Sequence, residues 1–220
     1  MRRGIITALA ATAVATAAPA FAQTATVNGG APLSVGDSAT ISFGGPAGTT
    51  ASADLFLMLT GANSSTGAYS FSYNFTNTNS SVSNLVNFGF TTTPTLLSIT
   101  GVTGTMSFTV DPNNFPGGYT VDACAWPASG QNCDSANGQA DSFAGTFTLN
   151  FGANSGPITL NNFVDRYASL SQIGGVSGEG TPVRGVPEPA SWALMLLGFA
   201  GVGVAMRRSR KSKPALMQVA

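Results

Sequence analysis

The sequence predicts an all-β protein: a single β-sandwich or jelly-roll-like ectodomain, followed by a flexible linker and one C-terminal transmembrane helix. Three observations lead there. Between Thr40 and Ala168, apolar and polar residues alternate in run after run, and a period of two places every second side chain on one face of a strand. The runs are short and are separated by clusters of Gly, Pro, Asn and Ser, the spacing of a sandwich or barrel. The long apolar stretches stand only at the two ends of the chain.

The first 22 residues carry Arg2 and Arg3, then an alanine- and threonine-rich apolar stretch, then Ala20-Phe21-Ala22 before Gln23. A basic start, an apolar middle and a small-x-small end describe a signal peptide. Signal peptidase is expected to cut between Ala22 and Gln23. The residues around the Arg pair do not extend a twin-arginine motif, so the general secretory route is favoured.

Residues 23–169 form the predicted ectodomain. Its clearest strand is the row Tyr69, Phe71, Tyr73 and Phe75, alternating with Ser70, Ser72, Asn74 and Thr76. Phe147, Leu149 and Phe151 repeat the pattern, as do Met106, Phe108 and Val110. Further strands are expected at Thr40 to Phe43, Leu55 to Thr60, Leu85 to Thr91, Leu96 to Thr100, Tyr119 to Trp126 and Asn162 to Ala168. Turns are expected at Gly44-Gly45-Pro46, Gly61 to Ser64, Asp111 to Asn114 and Pro116-Gly117-Gly118. Disordered chains lack this density of aromatic and β-branched residues.

Charge narrows the function classes. The whole chain is formally neutral, but the signal peptide and the tail hold most of its cations. Between Gln23 and Gly185 two basic residues, Arg166 and Arg184, stand against eight acids, a net of −6. A surface so poor in Lys and Arg excludes a nucleic-acid partner, which needs its phosphates neutralised. There is no histidine, which removes Ser-His-Asp and Cys-His catalysis and the commonest metal ligand. Carboxylates remain for acid–base work: Asp37, Asp54, Asp111, Asp122, Asp134, Asp141, Asp165 and Glu179. Two of them on facing strands would suit a glycosidase, but Asp111 and Asp134 sit in turns, where Asp bonds backbone, and Glu179 falls in the linker. No catalytic residue, cofactor or metal site is assigned. Calcium ligands would have to come from Asp111, Asn113 and Asn114, or from Asp134 and Asn137, and neither set has the ligand spacing of a calcium loop.

Three details complete the domain. Cys124 and Cys133 are nine positions apart in a chain bound for an oxidising compartment, so an intramolecular disulfide is expected. Asp165 and Arg166 point to opposite faces if their segment is a strand. An edge-strand charge that discourages sheet pairing is the favoured reading of Asp165; a buried carboxyl follows if it shares the face of Phe163 and Tyr167. The row Tyr69 to Phe75 reads as core in preference to a sugar-stacking surface.

Residues 170–186, rich in Gly and Ser, read as the linker. Pro187, Glu188 and Pro189 then stiffen the chain. Ala190 to Met206 holds 17 uncharged residues, about 25 Å of helix, the lower limit for spanning a hydrocarbon core. Trp192 stands near its outer end, and Arg207, Arg208, Arg210, Lys211 and Lys213 follow its inner end, as the positive-inside bias prefers. Residues 214–220 are then a cytoplasmic tail.

The run Pro187-Glu188-Pro189-Ala190-Ser191-Trp192-Ala193, with the helix and the basic end, resembles the PEP-CTERM sorting signal in its Trp-Ala variant. That resemblance implies export through the inner membrane of a Gram-negative bacterium that makes exopolysaccharide. It also implies a transient inner-membrane anchor and cutting near the motif by an exosortase, a membrane-embedded transpeptidase. Pro187, Glu188, Pro189, Trp192 and Ala193 would be the recognition element, 190–206 the retention helix and 207–213 the membrane stop. The ectodomain more loosely resembles the cistern family of PEP-CTERM proteins, through Phe71-Ser-Tyr-Asn-Phe75, Cys124 and Cys133, Phe147 to Phe151 and Ile158 to Tyr167. That family implies no activity. The functional expectation is a non-enzymatic structural protein of the cell surface or extracellular matrix, associated with exopolysaccharide. A glycan-binding sandwich, with Trp126 beside a groove, is the alternative; an enzyme acting on extracellular polysaccharide is the second.

Overall fold

The computed structural model describes residues 23–110, 115–129, 132–133, 140–174 and 176–183. Among the described residues twelve strands follow one another: β1 (Ala25–Val27), β2 (Pro32–Leu33), β3 (Ser38–Gly44), β4 (Ser52–Asn63), β5 (Ala68–Asn77), β6 (Asn84–Thr93), β7 (Ser98–Gly104), β8 (Met106–Thr109), β9 (Ala123–Pro127), β10 (Ser142–Asn150), β11 (Ile158–Leu170) and β12 (Val176–Pro182). Two single 3-10 turns, Pro116–Gly118 and Ser171–Ile173, are the only helical pieces among the described residues. The all-β class follows from the alternation itself: burial flips at every residue along β5, and along β4 as far as Leu59.

The strands join in the order β7-β10-β5-β4-β3-β12-β11-β6-β9-β8, with β1 parallel to the start of β11 and antiparallel to β2. This long sheet is folded over on itself, so that β7-β10-β5-β4-β3 faces β11-β6-β9-β8. Aromatic rings from the two halves meet between them. Phe75 and Phe88 lie 5.2 Å apart, Phe108 and Phe147 4.7 Å, and Tyr73 and Phe108 5.5 Å, between ring centroids. The row Tyr69, Phe71, Tyr73 and Phe75 is buried in this core. At one end the chain passes from β7 to β8 through Gly104, in the left-handed region at φ 89°; a Cβ there would stand 2.0 Å from the Ala144 carbonyl oxygen. Only glycine fits such a corner.

Several expectations are corrected. The segment 170–186 is not all linker: Leu170 closes β11, and Val176–Pro182 form β12, which pairs antiparallel with β11 from Asp165↔Gly180 to Leu170↔Val176. The compact unit runs to Thr181. Its glycines read as loop composition, yet they are what the strand needs. A Cβ at Gly178 would meet Pro46 at 2.4 Å, and one at Gly180 would meet Asp165 Oδ1 at 2.2 Å. The predicted turn at Gly61 to Ser64 lies two to three residues later, because β4 continues through Asn63 after a register shift between Leu59 and Gly61. The strand expected from Tyr119 starts only at Ala123: the Asp122 carboxylate accepts a hydrogen bond from the Thr92 amide at 2.7 Å, and the residues before it form a turn.

Candidate functional site

Among the described residues Asp165 is the one carboxylic acid that the fold buries completely. A bulge places it. Before Asn162, β11 turns Ile158 and Leu160 inward; Asn162 takes a left-handed backbone (φ 49°), and its pairing with β6 shifts between Asn161 and Val164. One extra residue switches the inward set from even to odd numbers. Phe163, Asp165 and Tyr167 therefore face the core, and Val164 faces out. Asp165 is 0% exposed and sits on an internal strand, between β6 and β12. The edge-strand reading of this residue is overturned.

The Tyr167 hydroxyl and the Gly180 amide are turned toward the carboxyl, but neither closes to a hydrogen bond, and both carboxyl oxygens and the Tyr167 hydroxyl stand without a partner. Burial pushes the Asp165 carboxyl well above the usual carboxylate range, outweighing the neighbouring donors. Tyr167 is raised too, first by burial and then by Asp165 and Asp54. A buried charge without partners is costly, so the group holds its proton. No solvent reaches it, and a polymer substrate cannot.

Two other described carboxylates bond the backbone. Asp37 accepts from the Ser34 amide at 2.9 Å, and Asp122 from Thr92. Glu179, expected in the linker, stands in β12 opposite Arg166. Among the described residues no three His, Cys, Asp or Glu side chains gather as a metal site. The calcium candidates Asp111, Asn113, Asn114, Asp134 and Asn137 lie outside the described residues, as do Ala22 and the signal peptide.

Cys124 and Cys133 are joined in a disulfide, with their Cα atoms 6.2 Å apart. It belongs to a second apolar cluster on the outer side of β9 and β11, made by Phe115, Val121, Cys124, Cys133 and Val164, with Trp126 packed against it. Asn87 is fully buried beneath and donates its amide to the Cys133 carbonyl. Trp126 is half-buried and packs against this cluster.

The sorting residues Pro187, Glu188, Pro189, Trp192 and Ala193, the helix expected at 190–206 and the stop from Arg207 to Lys213 lie outside the described residues. Among the described residues no helix is long and apolar enough to cross a membrane. Residues 185–211 match the PEP-CTERM protein-sorting motif. No curated protein and no solved structure matches the chain. The match covers the tail alone, and the likeness of the β domain to the cistern family is not shown by it. The chain thus carries the address of a protein exported across the membrane to the cell surface and handled by an exosortase.

Proposed function

We propose that this is a non-enzymatic structural protein of the cell surface or extracellular matrix of a Gram-negative bacterium. In this reading an exosortase cuts it free from a transient inner-membrane anchor and it lodges in exopolysaccharide. The sorting motif at 185–211 carries the reading. The domain's construction supports it. The chain is packed into strands up to Pro182, so a cut near Pro187 leaves β12 intact and releases a finished domain. An aromatic core, a disulfide and a low-charge Ser/Thr/Asn-rich exterior suit a component that acts through its folded bulk.

Replacing Pro187, Glu188 and Pro189 together with alanine tests the processing step. The triple variant should stay in the membrane fraction while the wild-type chain appears at the surface or in the medium. Equal release of both would remove the motif from the account.

A further inference from the structure

The two outer faces of the folded sheet are built differently. Over β6, β9 and β11, loop residues Phe115, Val121 and Cys133 form a cover, and β6 is recessed to admit it: a Cβ at Gly89 would lie 2.9 Å from both Phe115 and Val121. Over β3, β4, β5 and β10 nothing among the described residues packs. Their outward side chains are set in register instead. Thr40, Phe56 and Asn74 stand side by side on β3, β4 and β5, all exposed. Met58, Ser72 and Thr146 form the next row, on β4, β5 and β10. Neighbours within a row are about 4.8 Å apart and the rows about 7 Å.

The chemistry of this face is specific. Phe56, 38% exposed, stands two residues from Met58 on the same strand, a small apolar platform. Around it are hydroxyls and a side-chain amide, each both donor and acceptor. Some are already fixed by neighbours: Thr103 and Thr146 share a hydrogen bond of 2.8 Å, Ser70 and Thr148 one of 2.9 Å. The only ionisable side chain among the outward positions of β3, β4, β5 and β10 is Asp54, in the row beside Phe56 opposite Met58. A polyanion meets no cation here, and a polycation only one carboxylate.

We infer that this face, centred on Phe56 and Asn74, is a docking surface for a neutral polysaccharide. Sugar rings offer C–H faces that settle on an aromatic platform and hydroxyls that exchange hydrogen bonds with the Thr, Ser and Asn side chains beside it. The absence of charge over most of the surface matches an uncharged polymer. The inference names a partner for the matrix role proposed above and rests on that reading only for where the partner is met. Its test uses purified protein, so its failure leaves export and processing untouched, and failure of processing leaves the binding result standing.

The full chain, in a polyoxyethylene detergent that carries no sugar headgroup, is run on native gels containing dextran, laminarin, hydroxyethyl cellulose or alginate. At least one of the three neutral glucans should retard it, and alginate should not. Phe56→Ala combined with Asn74→Ala should weaken that retardation at least tenfold with an unchanged melting temperature, and Phe56→Trp should retain it. The inference is overturned if no neutral glucan retards the chain, if alginate does so equally, or if the double variant binds as the wild type does. It is also overturned if light scattering shows that the double variant breaks up an oligomer, which would give the face to a second copy.

Discussion

Replacing Asp165 with Asn keeps the side chain's shape and removes its ionisation. In the folded domain the carboxyl is enclosed by Tyr167, Gly180 and the strands around it, and burial holds its pKa well above the usual range. In the unfolded chain it titrates near 3.9. The folded state therefore keeps its proton to higher pH than the unfolded state does. Stability from this group is full below the unfolded value and is lost as pH rises toward the folded one. Each pH unit inside that window removes about 1.4 kcal/mol. With a urea dependence of about 1–3 kcal/mol per molar, the midpoint of unfolding falls by roughly 0.5–1.4 M per unit. Asp165→Asn has no such slope. Urea titrations of both proteins from pH 4 to pH 8, followed by near-ultraviolet circular dichroism, should show curves that start close together and diverge, with the variant more stable at the alkaline end. Asp37, Asp122 and the other carboxylates are common to both proteins and cancel in the difference. A constant difference across the whole range would refute the argument that Asp165 is buried as a neutral acid.

Other outcomes follow from packing and covalent structure. Unreduced protein should show no alkylatable thiol, and Cys124→Ser with Cys133→Ser should lower stability by roughly 2–3 kcal/mol on the chain-entropy account of so short a loop. Mass spectrometry after iodoacetamide, and urea melts of the variant, check both parts. Gly180→Ala drives a methyl group against Asp165 Oδ1 at 2.2 Å and against the Gly44 carbonyl at 2.6 Å. It should cost roughly 1–3 kcal/mol; a neutral result would mean that β12 is the dispensable linker its composition suggests.

How legible all this was depends on what each feature obeys. The row Tyr69 to Phe75 obeys period two over a whole strand, and it lies buried as expected. The disulfide obeys spacing and compartment, and the sorting motif is local in sequence. Asp165 escaped because a single extra residue at Asn162 reverses the inward parity from Phe163 to Tyr167. The one visible trace is the broken alternation of Asn161-Asn162-Phe163-Val164, where two polar residues precede two apolar ones. β12 escaped because glycine weighs against a strand, whereas here it answers to side chains contributed by β11 and by Pro46. β1 and β2 are three and two residues long, too short for any period to show. The open face around Phe56 depends on which side of the sandwich the loops cover, and that is settled by tertiary packing.

Mass spectrometry of the C-terminal peptide of the protein recovered from native envelopes and culture medium tests the central claim most directly. The account predicts a chain that ends close to Pro187, Glu188 or Pro189, with or without added mass, and retains Val176–Pro182. A chain that runs intact to Ala220 in every fraction would contradict it and make the tail a permanent anchor.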